Sequence, residues 1–130
     1  MNLVYLNKKG MKVSEIMSTP VIITAKTNKV NAVRNLLDRK NVHAIPVLDS
    51  DGKIEGIVSS IDIAKEHNEN EIVGNIMSEM VHVILPTSRV VDAAKMLFKH
   101  KVHHLVVMEE GVVVGMISSM DIVRVFAEQS

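Results

Sequence analysis

The stretch GIVSSID at 56–62 occurs almost unchanged as GMISSMD at 115–121. In both stretches a glycine, two apolar residues, two serines, one apolar residue and an aspartate follow in the same order. A serine followed three residues later by an acidic residue is a capping-box pattern, which is typical of the start of a helix. The two stretches therefore predict two helices that begin at equivalent places of a duplicated fold.

The duplication extends outward from these stretches over most of the chain. With an offset of 60 residues, VSEIMS at 13–18 aligns with VGNIMS at 73–78, and VHAIPVL at 42–48 aligns with VHHLVVM at 102–108. One residue is lost in the turn that follows, so the two motifs align with an offset of 59. Self-similarity of this length indicates two copies of one structural unit.

Each copy contains the same predicted elements in the order strand, helix, strand, strand, helix. Apolar residues at helical spacing predict the first helix, with N-cap candidates at Thr27-Asn28 and Thr87-Ser88. Two apolar strands follow as a hairpin whose turn contains a glycine, and the second helix begins at the Ser-Ser pair. A short helical turn opens each copy. The predicted first strands are Val21–Thr24 and Val81–Leu85.

One copy alone has too few elements to bury its sheet. We therefore expect a mixed α/β (α+β) fold in which two β-α-β-β-α repeats pack as a pseudo-twofold pair within the chain. The predicted boundaries are an N-terminal extension at 1–12, repeat one at 13–65, a linker at 66–72 and repeat two at 73–130.

The composition argues against several classes of function. The 130 residues carry 15 Lys and Arg against 15 Asp and Glu, so no net charge favours nucleic acid or an anionic membrane. The chain has no cysteine, which excludes disulfides and thiolate chemistry. No apolar run has membrane-spanning length and no signal-peptide pattern is present, so we expect a cytoplasmic protein. No paired carboxylates or catalytic triad are visible, and we expect no enzyme.

Two interpretations of the Ser-Asp motif stay open from the residues alone. A capping box explains Ser59 with Asp62, and Ser118 with Asp121, without any ligand. The free N–H groups of a helix start also suit a phosphate, and a carboxylate there can accept both hydroxyls of a ribose. The glycine at the strand end would let a ligand approach the backbone.

The chain resembles a tandem pair of CBS domains, a Bateman module, over about residues 13–126. The resemblance rests on VSEIMSTPVIITAKTNKVNAVRNLLDRKNVHAIPVLDSDGKIEGIVSSIDI and on a second copy ending in VHHLVVMEEGVVVGMISSMDIVRV. It implies clefts between the repeats that bind adenosine-containing ligands such as AMP, ADP, ATP, S-adenosylmethionine or NAD. It also implies that Asp62 and Asp121 hold the ribose, and that Ser59 and Ser118 approach the phosphate.

The same resemblance implies that the adenine lies against apolar residues of the hairpin and against the backbone of the first strand. These positions equally suit an ordinary core. The residues implicated are Ile23, Thr24, Ile45, Pro46, Val83, Ile84, Leu105 and Val106.

The histidines distinguish the two copies. VHHLVV resembles the VHRLVV of the AMP-activated kinase gamma subunit, whose basic pair meets ligand phosphates. The pair His103 and His104 therefore makes the second copy the better predicted phosphate site, whereas His43 is followed by Ala44 in the first copy. A cluster with His100 also suggests a metal, but no carboxylate joins it at ligand spacing, and we expect no metal site.

We expect a stand-alone regulatory module that senses an adenine nucleotide, AMP, ADP or ATP, and transmits a conformational change to a partner protein. Because CBS pairs commonly associate through their helices, we also expect a homodimer. The alternatives are an S-adenosylmethionine or NAD sensor and a structural dimerisation module with empty clefts. No catalytic cofactor is expected, and the sequence does not identify the regulated partner.

Overall fold

A computed structural model of the chain describes residues 10–128. The chain divides into two compact units, which we call unit I and unit II. Unit I is Ile22–Val81, and unit II combines Met1–Val21 with His82–Ser130. The predicted N-terminal extension at 1–12 therefore lies mostly outside the described residues.

The two units do not follow the two sequence repeats. The 3₁₀ turn that opens repeat one, Val13–Glu15, belongs to unit II, and the turn that opens repeat two, Val73–Asn75, belongs to unit I. Each unit therefore combines the sheet of one repeat with the opening turn of the other. The repeat boundaries at 13–65 and 73–130 stay a prediction about the sequence.

Unit I contains a two-stranded antiparallel sheet. Its elements are α1 (Val30–Lys40), β1 (Ala44–Leu48), β2 (Ile54–Ser59) and α2 (Ser60–Lys65). The predicted first strand at Val21–Thr24 is wrong in extent, because only Thr24 pairs with β1, through a parallel bridge to Val47. Pro46 accounts for this limit, since it has no N–H with which to continue the ladder towards Ile22.

Unit II contains a three-stranded sheet in the order β3-β4-β5, with β3 parallel to β4 and β4 antiparallel to β5. Its elements are β3 (Val83–Ile84), α3 (Val90–His100), β4 (His104–Glu109), β5 (Val112–Ser118) and α4 (Ser119–Glu128). Strand β3 is shorter than predicted. The ladder nevertheless extends one step further than in unit I, because the N–H of Val106 donates to the carbonyl of His82 at 2.9 Å.

The first helix of each unit begins without a side-chain cap, so the predicted N-caps at Thr27-Asn28 and Thr87-Ser88 are wrong. The N-cap residues are Lys29 and Arg89, and neither forms a side-chain cap hydrogen bond. Backbone carbonyls replace the caps. The N–H of Val30 donates to the carbonyl of Glu71, and the N–H of Val90 donates to that of Met11, both at 2.8 Å. The predicted linker at 66–72 is therefore part of unit I.

The predicted hairpin turns are confirmed. In unit I, the Asp49 carboxylate accepts the N–H groups of Asp51 and Lys53, each at 2.9 Å. Gly52 and Gly111 have positive φ of 83° and 78°, a backbone conformation that L side chains rarely adopt. These turns fix the register that brings the end of each hairpin to its motif serine.

Each unit buries its own hydrophobic core, because α1 and α3 present apolar residues at helical spacing to strands that are apolar along most of their length. The core of unit I contains Val30, Val33, Leu37, Ile45, Val47, Val58, Ile63 and Val73. The core of unit II contains Val13, Ile16, Ile84, Val90, Ala93, Leu97, Leu105, Val107, Ile117 and Val125.

The predicted mixed fold class is confirmed, since residues 10–128 form two separate sheets and four α-helices in an α+β arrangement. None of these helices is both long and apolar enough to cross a membrane.

Candidate functional site

The two Ser-Asp motifs form the predicted capping boxes. In unit I, the N–H and hydroxyl of Ser59 donate to Asp62 Oδ2 at 2.9 and 3.0 Å, and the N–H of Asp62 donates to Ser59 Oγ at 3.2 Å. In unit II, the N–H of Ser118 donates to Asp121 Oδ2 at 2.8 Å, and the N–H of Asp121 donates to Ser118 Oγ at 3.1 Å. Each aspartate is therefore held at a fixed position through one carboxylate oxygen.

The second carboxylate oxygen has different surroundings in the two units. Asp121 Oδ1 lies 3.6 Å from Nη2 of Arg124, which is half-exposed on α4. Lys65 stands at the corresponding position in unit I, and no ion pair joins it to Asp62 within the described residues. The carboxylate of Asp62 therefore has one oxygen that accepts no hydrogen bond from residues 10–128. Both aspartates are partly exposed.

The hairpin register places one more residue beside each motif serine. His104 pairs with Ser118 across β4 and β5, and Ala44 pairs with Ser59 across β1 and β2. Directly opposite residues of an antiparallel pair point to the same face of the sheet. His104 therefore lies on the same face of the sheet as Ser118, beside the predicted phosphate position of unit II. The corresponding residue of unit I is Ala44, a small apolar residue that is 6% exposed.

The second serine of each Ser-Ser pair interacts with the preceding histidine, a role that the sequence interpretation missed. The N–H groups of Ser60 and Ser119 donate to the carbonyls of His43 and His103, both at 2.9 Å. The hydroxyls lie 3.4 and 3.5 Å from Nδ1 of the same histidines. The repetition of the Ser-Ser pair in both copies was the available signal. His43 and His103 are exposed and lie beside the helix starts.

Several residues predicted to meet adenine lie in the hydrophobic cores. Ile45 and Leu105 are fully buried, and Ile84 is 6% exposed. Neither the side chains nor the backbone of Ile45 and Leu105 are exposed to a ligand, so their contact with adenine stays a prediction that the packing of each unit does not favour. Ile23 and Val83, by contrast, are 47% and 39% exposed and are accessible to a planar ligand.

The backbone groups of Thr24 and the carbonyl of Pro46 form hydrogen bonds within unit I. The N–H of Thr24 donates to the carbonyl of Pro46 at 3.1 Å, and the carbonyl of Thr24 accepts the N–H of Leu48 at 2.9 Å. The Thr24 hydroxyl accepts a hydrogen bond of 2.7 Å from the Asn28 amide. The backbone of Thr24 is therefore already hydrogen-bonded within unit I, and its contact with adenine stays a prediction.

The motif glycines have a structural role that differs from the one expected. A Cβ atom on Gly56 would lie 2.6 Å from Sδ of Met77 and 2.7 Å from the carbonyl oxygen of Ser78. Gly115 has the same relation to the opening turn in unit II, where a Cβ would lie 2.7 Å from Sδ of Met17. The glycines therefore admit the opening turn of the other repeat, and the expectation that they admit a ligand is not supported.

The histidines near the end of α3 do not converge on a metal. His103 lies beside Ser119, whereas the ring of His100 stacks on that of His82 with centroids 4.1 Å apart. No group of three or more potential metal ligands occurs within residues 10–128. Desolvation lowers the pKa of His100, with smaller contributions in the same direction from His82 and Lys99.

Known proteins resemble this chain along nearly its whole length. The CBS domain family model matches residues 13–69 and 73–128. The chain is 36% identical to MJ0188, an uncharacterized protein of Methanocaldococcus jannaschii, over 88% of this chain and 44% of that protein. It is 27% identical to the uncharacterized protein MJ1426 of the same organism, over 95% of this chain and 96% of that protein. The chain thus spans less than half of one relative and nearly all of the other.

Solved structures share the fold. The CBS domain pair of protein MJ0100, in complex with 5′-methylthioadenosine and S-adenosyl-L-methionine, has a TM-score of 0.87 and 27% identity, covering 92% of this chain and 98% of that one. The protein CBSX2, in complex with AMP, has a TM-score of 0.81 and 24% identity, covering 92% of this chain and 98% of that one. At the identity of the second, the likeness concerns the fold alone.

Proposed function

Because the chain belongs to the CBS domain family, we propose that it is a regulatory module that binds an adenosine-containing ligand at the Ser-Asp motif of each unit. One observation carries this proposal. In both units the capping box engages one oxygen of a partly exposed motif aspartate, and the other oxygen takes no part in the box. A carboxylate held in this way can accept hydrogen bonds from a ribose without a further loss of side-chain entropy.

The other groups of each site have complementary roles in this proposal. Asp62 and Asp121 accept the ribose hydroxyls, and the hydroxyls of Ser59 and Ser118 face whatever group the 5′ carbon carries. The adenine lies against the exposed side chain of Ile23 in unit I or Val83 in unit II. The remaining predicted contacts are Thr24, His43, Ala44, Ile45, Pro46, Ile84, His103, His104 and Leu105.

The two sites differ in the ligand that they favour. His104 beside Ser118 gives unit II a side chain that can pair with phosphate, so we assign AMP, ADP or ATP to that site. Ala44 beside Ser59 offers no such group, so unit I suits a ligand with less negative charge. The relative MJ0100, at 27% identity, contains 5′-methylthioadenosine and S-adenosyl-L-methionine, which supports an adenosine-type ligand for the family without identifying this one.

The output of the module is regulatory in this proposal. A ligand changes the behaviour of such a protein only by binding two of its conformations with different affinity. We propose that the bound state is recognised by a partner protein in the cytoplasm, and that the chain acts as a homodimer. The relative inosine-5′-monophosphate dehydrogenase of Halobacterium salinarum is an enzyme, but this chain spans only 21% of it.

Isothermal titration calorimetry of the full chain tests the proposal. AMP, ATP, methylthioadenosine, S-adenosylmethionine and NAD are each titrated into the wild type and into the double variant Asp62→Ala/Asp121→Ala. We expect at least one ligand to bind the wild type, and its affinity to fall about tenfold or more in the variant, because the ribose loses a charged acceptor. The variant Asp38→Ala removes an exposed carboxylate of α1 and serves as the control.

The variant His104→Ala should weaken the affinity for AMP severalfold and leave the affinity for methylthioadenosine unchanged.

A second candidate is an association module without ligand. The capping-box hydrogen bonds supply a sufficient reason for both motif residues, which favours this candidate. Absence of heat and of any thermal shift with all five ligands would decide for it.

A further inference from the structure

Two histidine rings stack where β3 begins and α3 ends in unit II. The ring of His82 lies on that of His100, with centroids 4.1 Å apart and ring planes inclined by 20°. His82 directly precedes β3, and His100 is the last residue of α3. The stack therefore joins the first strand of unit II to its first helix, and both elements pack against β4.

The backbone of His82 also holds the sheet of unit II together. Its carbonyl accepts the N–H of Val106 in β4 at 2.9 Å, and β3 pairs with β4 over only two residues, Val83 and Ile84. A ladder this short depends strongly on each of its hydrogen bonds. The position of His82 therefore bears directly on whether β3 stays paired with β4.

The groups around the two rings favour the neutral state of His100. Desolvation lowers its pKa, and His82 and Lys99 add smaller contributions in the same direction. The negative end of the α3 dipole favours a cation at this position, but the other contributions outweigh it. Within residues 10–128, no carboxylate forms an ion pair with either ring.

The two histidines at the start of β4 interact with other residues. Nδ1 of His103 lies 3.5 Å from the hydroxyl of Ser119, and His104 pairs with Ser118 across the hairpin. The stacked pair is therefore surrounded by basic and neutral groups, and no acidic partner compensates a second positive charge within it.

Protonation reverses the interaction between the stacked rings. Two neutral imidazoles attract each other in this geometry, and a charged ring is still attracted to a neutral one. Two charged rings at this separation repel each other. His82 is only partly exposed, so a charged His82 gains hydration by moving outward, and its carbonyl moves with it.

We propose that the His82–His100 stack is a pH switch, which keeps β3 paired with β4 while at least one ring is neutral and releases β3 when both rings are protonated. Protonation of clustered histidines is a known way to change the packing of an element. The corresponding residues of unit I are Ile22 and Lys40, neither of which titrates near neutral pH. The switch is therefore specific to unit II.

This inference goes beyond the proposed function and needs no ligand. Val83, the proposed adenine contact of unit II, follows His82 directly in the chain. Release of β3 should therefore also weaken ligand binding by unit II in acid, and only this consequence rests on the proposed function.

Amide hydrogen exchange of the full chain, followed by NMR and corrected for its intrinsic pH dependence, tests the switch. We expect the protection of the Val106 N–H to fall about tenfold or more between about pH 7.5 and about pH 5, because its acceptor is the carbonyl of His82. The N–H groups of Leu48 in unit I and of Val90 in unit II are internal controls, since their carbonyl partners lie outside the stack.

The matched variant is His82→Phe, which keeps an aromatic ring beside His100 but cannot be protonated. The protection of Val106 in this variant should be the same at both pH values. His82→Ile, which introduces the residue of unit I, should also lose the response and provides a second test. His103→Ala removes a histidine outside the stack and should keep the wild-type response. Far-UV circular dichroism shows whether each variant is folded.

Four results would overturn the proposal. They are an unchanged protection of Val106 in the wild type, an equal loss at Leu48 or Val90, a response that persists in a folded His82 variant, and a response that disappears in His103→Ala. An equal loss at the controls would indicate general acid unfolding rather than release of β3. None of these results concerns the Ser-Asp motifs, so the proposed function stands or falls separately by calorimetry.

Discussion

The same capping box begins α2 in unit I and α4 in unit II, yet α2 has six residues and α4 has ten. The residue opposite the motif serine is Ala44 in unit I and His104 in unit II. The helices of unit I are bridged by Arg34, whereas those of unit II enclose an open groove. The comparison shows that duplication preserved the start of the helix, while the side chains around it became specific to each unit.

The first strands show the same contrast. In unit II, the N–H of Val106 donates to the carbonyl of His82, whereas the corresponding Pro46 of unit I has no N–H to donate. One residue therefore decides whether the first strand joins the sheet over two residues or only at Thr24. Small differences between the copies thus change the backbone as well as the surface.

The largest expected effect on stability concerns the motif glycines of the two units. Gly56→Ala should destabilise the protein by about 3 kcal/mol and Gly115→Ala by about 2 kcal/mol. The added Cβ meets the carbonyl oxygen of Ser78 at 2.7 Å in unit I and that of Ser18 at 3.1 Å in unit II. Backbone atoms move away from an added Cβ less readily than a flexible methionine side chain does, so the closer backbone oxygen in unit I should cost more stability. Urea denaturation followed by circular dichroism measures both effects.

The turn variant Gly52→Ala is the control for this pair. Nothing lies within 4 Å of a Cβ atom at Gly52, so its cost comes only from the positive φ and should be about 1 kcal/mol. If Gly115→Ala cost more than Gly56→Ala, the distance to backbone oxygen would not be what distinguishes the units.

The second expected difference concerns the motif aspartates. Asp121→Ala should reduce AMP affinity about tenfold more than Asp62→Ala, because the phosphate site is assigned to unit II. Each variant should also cost about 1 kcal/mol of stability through its lost helix cap, and this loss should be similar in both. Calorimetric titration with AMP gives the affinities, and thermal unfolding gives the stabilities. The reverse order of affinities would contradict the assignment of phosphate to unit II.

The smallest expected difference is the acid sensitivity of the stacked rings of His82 and His100 in unit II, where unit I has Ile22 and Lys40. The pKa of His100 is lowered by desolvation, then by His82 and Lys99. A lowered pKa means that the folded state favours the neutral ring. The stability linked to this ring is therefore complete above the pKa of an unfolded-state histidine and is lost as the pH falls below it.

Proton NMR titration of the imidazole signals measures this effect. In the variant His82→Ile, which introduces the residue of unit I, the pKa of His100 should rise because one positive neighbour is removed. The wild type and the variant His43→Ala, which alters a histidine of unit I, should give the same value for His100. An unchanged pKa of His100 in His82→Ile would show that the two stacked rings do not interact electrostatically.

Local patterns in the sequence predicted the hairpins, their glycine turns and the two helices that begin at the Ser-Ser pairs. These features depend on contacts between residues close along the chain, such as Asp62 with Ser59. The N-caps of α1 and α3 could not be predicted in this way. Their first N–H groups are satisfied by the carbonyls of Glu71 and Met11, which are about 40 and 80 positions away in the sequence.

The candidate site was partly accessible from sequence for a similar reason. Ser59, Asp62, Ser118 and Asp121 follow a local spacing, and the structure forms the expected hydrogen bonds. The pairing of His104 with Ser118 follows from hairpin register, which the turn length determines. The burial of Ile45 and Leu105 depends on packing against other elements, so an apolar pattern alone did not separate core residues from ligand contacts.

The sequence by itself determined the duplication, the α+β class and the two capped helix starts, because each depends on periodicity or on spacing within a few residues. Tertiary structure decided that the opening turn of each repeat belongs with the sheet of the other, where the motif glycines make room for it. It also decided that Arg34 closes one helix pair while Ala94 leaves the other open. The physical reason is that both outcomes depend on side-chain volume and hydrogen bonding between residues distant in the chain.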